Sequence, residues 1–381
     1  MKLRAYKLLF IFSILSIYRV NAQETKNPFS FETIYLGDFA YNSLGGISQG
    51  FNYLGLANIR VNFNTEEAGF WKGGDLLLCL ANTHGGEPSL TRSGEYQTAS
   101  NIEAGNITYL HELWFKQSIK QFDIIIGLQD ICEELIFSEH ADIYLNSSFG
   151  TPPTIAENIP SPIFPLTALG LQVHYNIRDK FFIKMAAFDG VPDDFSINKY
   201  NTSWKLSKKD GFLSLFELSY ANESENNSGT YKLGAYYHNK YTITEKEEGV
   251  IISENHPQNY GVYAVIDQTL YKKNESQELS MFTQLAISPK NINENWLYAG
   301  IGFNYRGLFK NRSEDILGLA LAYAEIDSEV GSEALIELTY KSQLNDNFFI
   351  QPNIQYFINP SGTESKLKNP LLFFVRLGLE F

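Results

Sequence analysis

Glu112, Trp114 and Lys116 recur at every second position of Leu110-His111-Glu112-Leu113-Trp114-Phe115-Lys116, a run that alternates as a β-strand does. Strand geometry puts those three on one face and His111, Leu113 and Phe115 on the other. A carboxylate, an indole and an ammonium on one face offer hydrogen bonds beside an aromatic plate. This is the chemistry of weak, reversible contact with a hydroxylated solute, and it requires no bond making or breaking. Trp114 then either stacks on the solute or packs beneath an inserted segment. Gln129 and Asp130, which end the next strand, either join the same polar ring or fix the base of the loop that follows. Arg60 and Arg376 add sparse positive charge. Asn146, Ser147 and Ser148 either touch the solute or cap a turn, the usual habit of these residue types. His84, just before Gly85-Gly86, either anchors a loop or binds the solute.

Catalytic readings fail on content. The chain has no G-x-S-x-G, H-E-x-x-H or G-x-x-x-x-G-K-[ST] motif. Glu133-Glu134 and Asp193-Asp194 are sequence neighbours, which face opposite ways on a strand, whereas glycoside hydrolysis needs carboxylates across a cleft. Cys79 and Cys132 form no C-x-x-C pair and no metal-ligand spacing, and read as unbonded small apolar residues on strands that are not direct neighbours. No cofactor is implied. A net charge of −13 excludes a nucleic-acid partner, which needs a basic stripe, and argues against an anion-selective pore.

The elements that must position these residues are strands. Residues 1–22 read as a cleaved signal peptide: Lys2, Arg4 and Lys7 precede an apolar core from Leu8 to Ile17, and Val20-Asn21-Ala22 precedes Gln23. Residues 23–31 form a periplasmic lead, and 32–381 a single domain. After the first segment no apolar run is long enough for a transmembrane helix. Strands are predicted over 32–42, 51–64, 74–84, 109–119, 122–131, 168–177, 181–190, 210–222, 229–242, 259–271, 279–288, 295–307, 314–326, 333–343, 348–360 and 371–381.

The last strand is the clearest. Leu371, Phe373, Val375, Leu377, Leu379 and Phe381 share one face; Leu372, Phe374, Arg376, Gly378 and Glu380 share the other. An apolar face towards lipid and a polar face towards water describe a transmembrane β-barrel. About sixteen strands leave room for an aqueous channel. The connections 119–122, 177–181 and 344–348 are tight, whereas 85–108, 132–167, 191–209 and 243–258 are long, the asymmetry of periplasmic turns and extracellular loops. The 132–167 connection carries Pro152, Pro153, Pro160, Pro162 and Pro165, and is expected to fold into the lumen as a constriction loop. The terminal Phe381 reads as an assembly signal.

The front half resembles the carbohydrate-selective porin family. The resemblance rests on Tyr35-Leu36-Gly37-Asp38, Tyr53-Leu54-Gly55, Asn82-Thr83-His84-Gly85, Ser100-Asn101-Ile102-Glu103-Ala104 and Leu110-His111-Glu112-Leu113-Trp114-Phe115. It continues through Gly127-Leu128-Gln129-Asp130, Phe137-Ser138-Glu139, Leu145-Asn146-Ser147-Ser148-Phe149-Gly150, Pro165-Leu166-Thr167-Ala168-Leu169-Gly170 and Phe188-Asp189-Gly190, in order over roughly 32–195. It implies a passive outer-membrane channel that prefers small neutral sugars, with basic and aromatic residues near a constriction. Arg60, Arg92 and Arg376 are the arginines available. Its other partners would be outer-membrane lipid, lipopolysaccharide and the barrel-assembly machinery. The alternatives are a cation-preferring general-diffusion porin, which the acidic charge suits, and a structural or adhesin-like barrel with a plugged lumen.

Overall fold

The computed structural model describes residues 27–178, 180–224, 227–247, 250–274, 276–328 and 331–381; the expected signal segment lies outside them. Eighteen strands follow in chain order. They are β1 (Phe29–Leu44), β2 (Gly50–Asn64), β3 (Gly74–Gly85), β4 (Ile107–Ile119), β5 (Phe122–Gln129), β6 (Ala168–Ile177), β7 (Phe181–Asp189), β8 (Phe212–Asn222) and β9 (Gly229–His238). Then come β10 (Tyr241–Glu247), β11 (Val250–His256), β12 (Asn259–Asn274), β13 (Gln277–Ile287), β14 (Asn295–Arg306), β15 (Ile316–Ile326), β16 (Glu333–Asn345), β17 (Phe348–Ile358) and β18 (Leu371–Glu380). All except β10 and β11 form one closed antiparallel barrel, and each predicted strand has its counterpart in the wall.

Closure is made by β1 against β18, in a register that opposes Tyr35 to Leu379 and Asp38 to Arg376. Phe381 extends it: its amide donates to the Thr33 carbonyl and its carbonyl accepts from the Thr33 amide, both at 2.9 Å. Alternation sorts the side chains as strand geometry requires. Along β18, Phe373 and Val375 are exposed on the outer surface while Leu372 and Phe374 are buried inside. Antiparallel pairing around a ring leaves no free edge, the condition for crossing a bilayer with strands.

Three local departures matter. The 243–258 connection is not a plain loop: β10 and β11 pair with each other outside the barrel, Tyr241 opposite His256. The β-branched runs Thr242-Ile243-Thr244 and Val250-Ile251-Ile252 favour such a ribbon. A β-bulge breaks the β3–β4 register: Glu112 opposes Cys79, but Leu110 opposes Leu80. His111 is the extra residue, so it turns inward beside Glu112 instead of facing lipid, and both are buried. Cys132 lies beyond β5 rather than on a strand, and neither cysteine is bonded.

The inner face is also not uniformly polar. Leu372 and Phe374 join a hydrophobic core with Leu213, Tyr263, Phe282 and Phe357 of the wall. This core lies inside the barrel because an inserted segment fills that side. Aromatic rings lie flat on the inner wall where the residue opposite is glycine, among them Tyr263 over Gly234 and Phe282 over Gly302. A β-carbon at either glycine would collide with the ring.

Candidate functional site

Residues 130–167 leave the end of β5 and fold into the lumen. They include a short helix α1 (Pro153–Ala156). Tyr144 and Phe149 pack against Phe282 of β13, with ring centroids 5.5 Å apart in both pairs. Ile131, Leu135, Leu145 and Ile155 complete the core on this side. A folded loop still carries backbone N–H groups that require acceptors. The wall supplies them as carboxylates. Glu217 on β8 accepts from the Ile136 amide at 3.0 Å. Asp267 on β12 accepts from the His140 amide at 3.1 Å and the Ser138 hydroxyl at 2.6 Å. Glu337 on β16 accepts from the Leu145 and Asn146 amides at 2.7 and 3.2 Å. Charge-assisted bonds of this kind are the strong class. Much of the chain's inward acidity is thus committed to holding backbone.

The 85–108 connection also turns inward, a contribution not foreseen from its sequence. Glu333 on β16 accepts from the Tyr96, Gln97 and Ser361 amides at 2.8, 2.9 and 2.8 Å. The two inserted segments meet: the Asn146 side chain donates to the Gln97 carbonyl at 2.6 Å, and the Ser147 amide to the Thr98 carbonyl at 3.0 Å. The constriction is therefore built from both.

The side of the lumen formed by β2 to β7 keeps charged side chains partly open to water. Arg60 lies 3.2 Å from Glu112, pairs with Glu133 of the inserted segment, and retains 22% exposure. The Trp114 indole N–H donates to Glu112 at 3.2 Å. Lys116 stands 3.4 Å from Asp75, and Lys184 is 3.0 Å from Glu134. His174 adds a ring nitrogen 3.8 Å from Glu134. Arg60, Glu112, Trp114 and Lys116 thus share the lumen face, as strand alternation predicts.

The remaining predicted residues divide. Gln129 is buried, donates to the Gly170 carbonyl at 2.9 Å and accepts from Gln172 at 2.7 Å. Asp130 accepts from the Cys132 amide at 2.7 Å and caps the loop base. Burial pushes its carboxyl up to about 7. Asn146 caps the turn at Ser147–Phe149, accepting from the Ser148 amide at 3.0 Å and its hydroxyl at 2.6 Å. Asn146 and Ser148 are buried and half-buried Ser147 donates to the Thr98 carbonyl, so the geometry of this trio is that of a capped turn.

Arg376 is also spent on structure. It donates to both Asp38 oxygens at 2.7 and 2.8 Å and to Asn101 at 2.8 Å, tying β18, β1 and the inserted 85–108 connection together. His84 is on the wrong face. Cys79, Ala81 and Thr83 point inward, so alternation turns His84 outward, 3.2 Å from the Tyr35 hydroxyl and 3.0 Å from Asn82. Arg92 sits at the rim, 2.9 Å from Asn52.

At the long-loop end lies a polar vestibule of about 710 Å³. Its lining includes Glu95, Glu157, Glu294 and Glu364, and among the described residues no Lys, Arg or His. Glu157 opens to the vestibule, yet the surrounding walls and the Glu294 carboxylate push its carboxyl up to about 7. At the opposite end a cavity of about 510 Å³ is lined by mixed charges, among them His140, Lys272, Glu278 and Arg306.

Comparison with known proteins agrees with this architecture. The chain is 22% identical over 407 residues to Porin B of Pseudomonas aeruginosa, covering 93% of this chain and 87% of that protein. Its fold matches the high-pH structure of Pseudomonas putida OprB with a TM-score of 0.82 at 20% identity, over 93% of this chain and 94% of that one. The loop-deleted OmpT of Vibrio cholerae matches less well, with a TM-score of 0.54 at 10% identity, over 93% and 100% of the two chains. The model of the carbohydrate-selective porin OprB family matches residues 48–381. The chain belongs to that family.

Proposed function

We propose that this protein is a passive outer-membrane channel with a preference for small neutral carbohydrates. The observation that carries the reading is the partly open polar wall, where the Trp114 indole N–H donates to Glu112 and Arg60 bridges Glu112 to the inserted segment's Glu133. The indole offers a face for the C–H side of a sugar ring. The charged groups and Lys116 exchange hydrogen bonds with its hydroxyls. Each contact is weak, so the sugar is released as readily as it is held, and no chemical step is needed. Family membership supports the same solute class. In this reading residues 1–22 are removed on export, and Phe381, already paired with Thr33 where the barrel closes, serves as the signal read by the assembly machinery.

Liposome swelling with the purified protein tests the reading. Neutral hexoses should enter faster than amino acids or salts of similar size. Equal rates for all three would identify a general-diffusion pore. No swelling would identify a closed barrel.

A further inference from the structure

The connection between β7 and β8, residues 190–211, crosses the rim and returns along the outside of the wall. Its crossing is pinned. The Leu110 amide donates to the Tyr200 carbonyl at 3.1 Å, and the Asn201 side chain donates to the Leu110 carbonyl and the Thr167 hydroxyl at 3.1 and 2.7 Å. Its return overhangs an apolar groove of about 720 Å³. The floor of the groove is lipid-facing wall: Ile126 of β5, Leu171 of β6, Ala187 of β7 and Phe212 of β8. The overhang is Leu206, Ser207 and Lys208, with Leu206 73% exposed.

Charge around the groove is segregated rather than one-signed: Asp189 in its lining and Asp193, Asp194 and Asp210 of the connection flank a run of lysines. Residues 199–209 contain four lysines and no acid, in a protein whose acids outnumber its Lys and Arg by 43 to 30. Lys205, Lys208 and Lys209 are exposed, and none forms an ion pair among the described residues. Asp193 and Asp210 are felt through space by Lys205 and Lys209, and Asp189 in the groove lining stands near both of these acids. Trp204 and Tyr200 stand exposed beside them, in the manner of aromatic residues at a membrane interface.

We propose that this groove is a binding site for a phosphorylated glycolipid of the outer leaflet, the lipid A moiety of lipopolysaccharide. The groove lies at the long-loop end of the barrel, which faces the extracellular side. It is continuous with the apolar wall already in contact with acyl chains, so one chain enters it without leaving the bilayer. The three lysines then lie where that lipid's phosphates begin, and each such contact near an anionic surface is favourable. Two apolar walls hold an acyl chain on more of its surface than the flat barrel does. The overhang thereby turns a passing lipid into a resident one.

Native mass spectrometry of the full chain in detergent, titrated with hexa-acylated lipid A, tests the site. Phosphatidylglycerol and phosphatidylcholine are the comparators. Lipid A should remain bound at concentrations where both phospholipids have dissociated. The set Lys205→Glu, Lys208→Glu and Lys209→Glu should weaken lipid A binding by roughly ten-fold or more. Ala187→Trp, which fills the groove without altering charge, should weaken it independently. Both variants should keep heat-modifiable gel migration and sugar flux. Unchanged lipid A binding in both, or phosphatidylglycerol held as tightly as lipid A, would overturn the assignment.

Discussion

The two sides of the lumen are built on opposite principles. From β8 round to β18 the wall is covered: Phe149, Tyr144 and Leu145 bury apolar surface against it, and Glu217, Asp267, Glu333 and Glu337 clamp loop backbone. From β2 to β7 the wall carries Arg60, Trp114, Lys116, His174 and Lys184, each with a partner yet partly open. The first side behaves as a protein interior and sets shape. The second keeps polar and charged side chains partly exposed, and in the proposed reading it is the side that meets solute. One consequence concerns charge. Inward carboxylates at Glu333 and Glu337 do not make a cation pore, because backbone amides already occupy them.

The comparison breaks most decisively at Glu337. Glu337→Ala leaves the Leu145 and Asn146 amides without their acceptor, at about 1–3 kcal/mol each. The inserted segment should loosen, single-channel conductance should rise several-fold, and discrimination among sugars should fall, while the barrel still shifts on a heat-modifiability gel. Unchanged conductance would mean that packing alone holds the loop.

Trp114→Ala addresses the open side. It removes an aromatic face worth about 1 kcal/mol, so sugar block of ion current should weaken roughly five-fold, with little change in barrel melting. Equal block in the variant would remove Trp114 from the solute path. A smaller effect is expected at Glu112→Gln, which keeps a hydrogen-bonding group beside Arg60 but removes its charge. Cation preference should fall more than neutral-sugar flux.

The smallest effect belongs to the vestibule. The Glu157 carboxyl titrates near 7. Raising the pH through that value ionises it and adds negative charge to the mouth; lowering the pH removes that charge. Reversal potentials in a salt gradient should therefore show cation preference rising around neutral pH, and Glu157→Gln should flatten that step. A step retained in the variant would assign the titration to another group.

Much of the wall was legible from sequence because its rule is local. Residues two apart share a face, and lipid on one side makes the apolar phase audible in every strand, as in Leu371 to Phe381. The same rule placed Glu112, Trp114 and Lys116 inward. His84 could have been resolved by following that rule down from Thr83, but Gly85-Gly86 drew it into the loop reading. His111 could not, because a bulge is defined by what the neighbouring strand does at Cys79 and Leu80.

Sequence alone pointed to a barrel of about sixteen strands, with long connections at one end and proline-rich chain between β5 and β6. Tertiary structure decided which polar residues remain free. Arg376 and Asp38 are 338 positions apart in the chain, and Glu337 and Leu145 are 192 apart. Nothing local says that such a pair will meet. Closure of the ring brings Asp38 to Arg376 and buries the arginine to 7% side-chain exposure, whereas Arg60, although paired with Glu112 and Glu133, keeps 22%.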